Sequence, residues 1–97
     1  MRVRILGRYW RIEWCDRCEI GDDLGACEKP EYSDRTIYFA NKQPPRTLLE
    51  TAIHEALHAA KWDLPHKWVE TTAADIARLL WRLGYRRTES GGERAAS

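Results

Sequence analysis

Residues 47–58 read Thr47-Leu48-Leu49-Glu50-Thr51-Ala52-Ile53-His54-Glu55-Ala56-Leu57-His58, and the reading of this stretch decides that of the rest of the chain. Pro44 and Pro45 stand before it, and Thr47 to Glu50 has the T-x-x-E spacing of a capping box, which predicts a helix from about Thr47 to Trp62. At 3.6 residues per turn His54 and His58 share one face, so both imidazoles can reach a single ion. Glu55 points about 100° further round the helix. There it can touch a water on that ion without being a ligand. Leu49, Ile53, Ala56, Leu57 and Ala60 form the expected apolar stripe, with Thr51, His54 and His58 roughly opposite. Two histidines at i and i+4 are by themselves an ordinary solvated face; the glutamate directly after the first turns the reading toward a metal site.

The next segment offers the remaining ligands. Asp63 and Leu64 alone separate the first helix from a second, predicted from about Pro65 to Leu83 with Asp63 as its cap. So short a link folds the helices into an antiparallel or steeply crossed pair. Val69, Ala73, Ile76, Leu80 and Leu83 make the second apolar stripe, and Gly84 marks its end. A catalytic zinc takes three protein ligands and leaves one position to water. Two candidates follow His58: His66 after seven intervening residues and Glu70 after eleven. Folding about Leu64 sets Glu70 level with His58 and leaves His66 about one turn, some 5 Å, nearer the link. Register therefore favours Glu70, while an imidazole at the start of the helix still reaches across if the pair splays.

Upstream, Trp10, Ile12 and Trp14 alternate with Arg11 and Glu13, the period of a strand. Gly7 separates it from a shorter strand at residues 3–6, giving a hairpin that turns near Leu6-Gly7-Arg8. Gly21, Asp22, Asp23, Gly25, Pro30 and Ser33 predict an irregular loop over residues 15–33, and its acidic Gly21-Asp22-Asp23 does not fit a calcium loop. Thr36-Ile37-Tyr38-Phe39-Ala40 is β-branched and aromatic and reads as another strand. Trp10, Trp14, Trp62 and Trp68 are read as core or rim packing. The expected fold class is α+β: a small antiparallel sheet or hairpin of two to three strands on two antiparallel helices, one domain over residues 1–87. The polar segment 88–97 is expected to be a disordered tail.

Composition sets bounds on function. At 97 residues the chain makes one domain that buries about 60 to 65% of its unfolded surface, so a metal would be a useful extra tie. With 16 Lys and Arg against 15 Asp and Glu, a net charge of +1 makes no case for a nucleic-acid partner. No apolar run approaches a membrane span, and the start Met1-Arg2-Val3-Arg4 lacks the apolar core of a signal peptide; a soluble, cytoplasmic protein is expected. Cys15, Cys18 and Cys27 are odd in number and spaced C-x2-C-x8-C. Free thiols are the plainer reading, and a structural metal site completed by an acidic residue or another chain is the alternative.

His54, Glu55 and His58 give the chain a resemblance to the H-E-x-x-H zincin metallopeptidases, over roughly residues 36–83. It does not resemble metzincins, which continue with a glycine and a third histidine where this chain has Lys61 and Leu64. It looks more like the minimal SprT-like or ImmA/IrrE-like zincins and small phage and bacterial proteins with a similar Asp75-Ile76-Ala77-Arg78 helix. The resemblance implies a sheet packed over the motif helix, a third ligand from a later helix, a Zn²⁺ cofactor and a protein or peptide substrate. It further implies that Glu55 is the general base for a water whose pKa the metal lowers to about 7. An edge strand then pairs with extended substrate, a role open to residues 36–40. For the oxyanion, Tyr38, Tyr85 or a free histidine are candidates. Two rival functions remain: a metal-stabilised structural or regulatory protein without catalysis, and a helix-turn-helix module reading DNA through Lys67, Arg78 and Arg82. The latter lacks a glycine in its turn and would set Glu70 and Asp75 against phosphates.

Overall fold

The computed structural model describes residues 1–16, 24–31 and 34–87. Strands β1 (Arg2–Ile5) and β2 (Arg8–Cys15) form the expected antiparallel hairpin. Leu6 and Gly7 make its turn with φ of 48° and 79°. Two positive φ values in a two-residue turn match the right-handed twist of the strands it joins.

Beyond the hairpin the sheet departs from expectation. Strand β3 (Gly25–Cys27) runs antiparallel to β4 (Thr36–Ala40), and β4 runs parallel to β2, giving a four-stranded mixed sheet in the order β1-β2-β4-β3. The α+β class holds; the two to three antiparallel strands do not. A three-residue strand is too short to show a period, and its glycine reads as a loop signal, so β3 was hidden inside a segment expected to be irregular. Strand β4 is paired on both sides, and the edge strands are β1 and β3.

Alternation divides the sheet into two faces. Trp10, Ile12, Ile37 and Phe39 point one way and form the core with Ala59, joined by Val3, Ile5, Cys27, Leu48 and Ala52. Trp10 is fully buried. Tyr9, Arg11, Glu13 and Tyr38 alternate to the other face, where Arg11 binds Glu13 at 2.8 Å and Asp34 at 3.2 Å.

Helix α1 (Pro45–Ala60) starts two residues before the expected Thr47, and its cap is Pro44, with no side-chain hydrogen bond. The capping box does not form. Pro45 has the φ a first turn needs and no N–H left to satisfy, and Leu48 N–H closes that turn on the Pro44 carbonyl at 2.8 Å. Thr47 is thereby drawn inside the helix. The helix ends at Ala60, leaving Trp62 in the link. Its buried line is Thr51, Glu55 and Ala59, with Leu48 and Ala52 also on the sheet, rather than the expected Leu49, Ile53, Ala56, Leu57 and Ala60, which are half-buried. The reason is that α1 is covered on two sides, by the sheet and by α2, so no single stripe describes it.

Helix α2 (His66–Arg82) is capped by Pro65 rather than by Asp63, which instead pairs with Lys61 at 3.2 Å. Val69, Ala73 and Ala77 are its buried line, and Leu83 is exposed. The Arg46 guanidinium at the start of α1 lies 5.9 Å from the Trp81 ring at the end of α2, while His58 and His66 lie 5.5 Å apart at the other ends. The helices are therefore antiparallel. Trp10 is core, and Trp14, Trp62 and Trp68 sit at the rim with 39%, 39% and 49% exposure. No helix among the described residues is long and apolar enough to cross a membrane. The tail expected over residues 88–97 lies outside the described residues.

Candidate metal centre

Two adjacent turns of α1 present His54 and His58 to the first turn of α2, which presents His66. One ligand atom from each of the three lies within 4.8 Å of the others. His54 Nε2 and His58 Nε2 are 3.2 Å apart. Two nitrogens bound at 2.0–2.1 Å in tetrahedral geometry would stand about 3.4 Å apart, so the pair is already near the separation a shared zinc requires. The His66 ring stacks on His58 at 5.5 Å and 17° and meets His54 edge-on at 5.2 Å.

Burial and the neighbouring histidines favour neutral rings. Desolvation first, then His66, pushes His54 below the ordinary imidazole range, with Glu70 and Glu50 acting the other way. For His58 burial leads, followed by His54 and His66. Neutral imidazoles offer the lone pairs a metal needs.

Both candidates for the third position stand here. His66 belongs to the close cluster, and Glu70, one turn on, holds its carboxylate 3.6 Å from His66 Nε2. Glu70 also lines the same cleft of about 1120 Å³ as His54, His58 and His66. Splaying is unnecessary: with α2 beginning at His66 rather than Pro65, the first-turn imidazole already faces α1.

Glu55 is buried at 7% exposure and lines this cleft from the side facing β3. A Cβ placed on Gly25 would lie 3.2 Å from Glu55 Cγ, so the bare backbone of β3 is what gives this carboxylate its seat. The β3 edge, with Leu24, Gly25, Ala26 and Cys27, forms the opposite wall. Gln43, which sequence reasoning missed, ties these parts together. Its Nε2 donates to the Leu24 and Ala40 carbonyls at 3.0 Å each, and its Oε1 lies 2.9 Å from the Thr51 hydroxyl. The only local signal was a polar residue directly before a Pro-Pro helix start.

Other expected site residues lie elsewhere. Tyr38 is on the far face of the sheet, its hydroxyl donating to Glu28 Oε2 at 3.0 Å. Tyr85 lines a second, smaller cavity of about 300 Å³ beside Leu48 and Trp81. Neither lines the cleft. Cys15 and Cys27 lie on opposite faces of the sheet, two strands apart, and neither belongs to a potential metal group among the described residues; Cys18 lies outside them. Cys27 lines the cleft, its pKa pushed up to about 12 by burial and then by Glu55 and Glu28. Lys67, Arg78 and Arg82 are exposed on α2, with Arg78 bound to Asp75 at 2.9 Å.

No protein-family model matches the chain, and no curated protein or solved structure matches it.

Proposed function

We propose that this chain is a single-domain zinc peptidase of the minimal zincin type. The observation that carries the reading is the convergence of His54, His58 and His66 within 4.8 Å on a cleft that also holds the buried carboxylate of Glu55. His54 and His58 hold the ion, and the third protein ligand comes from the His66–Glu70 pair. Zinc held there would supply a bound water of pKa about 7 and a Lewis acid for the carbonyl. Glu55 takes the proton from the attacking water and passes it to the departing amine. Its burial between α1 and β3 keeps it from bulk solvent. The outer edge of β3, which pairs with no strand among the described residues, offers main-chain hydrogen bonds to an extended peptide, in place of the β4 strand expected from sequence. Metal analysis of protein purified without a histidine tag, followed by digestion of a peptide library, tests the proposal. Glu55→Gln is expected to keep the zinc and lose proteolysis. Retention of full activity in that variant would reject the general base, and zinc binding without cleavage in the wild type would establish the rival metal-stabilised regulatory domain.

A further inference from the structure

We propose that the cleft selects its peptide by polarity, taking a lysine or arginine side chain at the Glu50 end and an apolar side chain at the Trp62 end. This rests on the peptidase reading and adds to it the class of substrate.

The two ends follow from the antiparallel helix pair. Glu50 precedes His54 by four residues and lines the cleft from the same face of α1. Four residues of helix span about 6 Å along the axis, the reach of roughly two residues of extended chain. The other carboxylate at that end, Asp75, is neutralised by Arg78 at 2.9 Å. Glu50 has no ion-pair partner among the described residues. It is an exposed carboxylate on the cleft wall, outside the Arg78–Asp75 pair that shares this lining, and so the complement of a cationic side chain.

The opposite end is apolar. Trp62 leaves α1 just past His58, with its ring 6.0 Å from the His58 ring, and it lines the cleft together with Leu64. It is 39% exposed, so its ring is open to a ligand. An aromatic surface at a cleft rim contributes through buried area and orientation rather than charge. Between the two ends lie the histidine cluster and Glu55. A peptide along the β3 edge therefore brings a bond between its cationic and apolar side chains to the reacting groups.

The test uses the zinc-loaded full chain and hexapeptides that differ only in a lysine, glutamine or glutamate at the charged position and in leucine or serine at the apolar one. Lysine peptides are expected to show kcat/KM about 5-fold above glutamate peptides, the upper end for one solvent-exposed charge pair. Glu50→Lys is expected to reverse the ratio, and Trp62→Ala to erase the leucine preference without moving the charge preference. Zinc-loaded Glu55→Gln gives a second readout, peptide binding by fluorescence anisotropy. An unchanged lysine preference in Glu50→Lys, or cleavage indifferent to charge, overturns the inference and leaves the peptidase reading standing. Selective binding of lysine peptides with no cleavage by the wild type overturns the peptidase reading and supports the recognition. Neither binding nor cleavage of any peptide overturns both.

Discussion

A carbon added at Gly25 would stand 2.7 Å from the Thr51 methyl, closer than any relaxed contact allows. The edge strand and the motif helix therefore meet through backbone on one side and a small branched side chain on the other. Gly25→Ala is expected to cost about 1–3 kcal/mol of stability, the usual range for overpacking. Thr51→Ser removes the clashing methyl while keeping the hydroxyl that meets Gln43 and the Thr47 carbonyl, each at 2.9 Å. Urea unfolding of the two single variants and the double should show a favourable coupling of at least about 0.5 kcal/mol. Strict additivity would mean that β3 does not close on α1 in this way.

The paired imidazoles make a pH prediction for the metal-free protein. Folding lowers the pKa of His54 and His58 from 6.5, through burial first and then through the adjacent histidines. The unfolded chain then binds protons more readily, so stability is complete above 6.5 and is lost as pH falls through the unfolded value toward the lowered folded ones. Proton NMR titration of the imidazole C–H signals in EDTA should place both His54 and His58 below 6.5. Zinc should deepen the dependence, because protons and metal compete for the same nitrogens. Two ordinary midpoints near 6.5 would show that the pair is neither buried nor close.

What the residues disclosed depended on the length of the pattern that carried it. The helix pair, the hairpin turn at Leu6-Gly7 and the shared face of His54 and His58 rest on several repeats of a period or on one rigid spacing. They survive in the structure. The capping box failed because Thr47 and Glu50 satisfy a local pattern that Pro45, two residues earlier, makes unnecessary. Strand β3 and its partner Gln43 were invisible for a different reason. Three residues carry no period, and the hydrogen bonds of Gln43 join segments that are adjacent only after folding. The apolar stripe of α1 misled because Thr51 and Glu55 are buried at the cleft wall beside β3, where local polarity and burial disagree.

Cys27 offers a check on the cleft wall that needs no activity. Its thiol is raised from 9.0 to about 12, by burial first and then by Glu55 and Glu28. At neutral pH the thiolate fraction is then about 1000-fold below that of an ordinary cysteine, since each unit is a factor of ten. Iodoacetamide, with alkylated positions read by mass spectrometry, should spare Cys27 until the protein is unfolded. Because the folded value is the higher one, this thiol's contribution to stability is intact below 9.0 and is lost as pH rises toward 12. Rapid alkylation of Cys27 in the native protein at pH 7 would place it in an open, charge-stabilised setting.

Zinc affinity separates the two groups at the start of α2. His66 Nε2 and the Glu70 carboxylate are 3.6 Å apart, and both face the His54–His58 pair. A site that keeps a position for water takes three protein ligands, so in the proposed centre one of the two would bind the ion and the other would support it or stand aside. Truncating the ligand should weaken zinc by at least about 100-fold, whereas losing a group that only orients a ligand should weaken it by about 10-fold. His66→Ala and Glu70→Ala, titrated with zinc against a competing chelator, are thus expected to differ by a factor of ten or more. Cobalt substitution adds an independent readout, since the visible bands of the four-coordinate ion shift when nitrogen is exchanged for oxygen. Small and equal losses in both variants would show that α2 supplies no ligand, and would leave a two-histidine site too weak for catalysis.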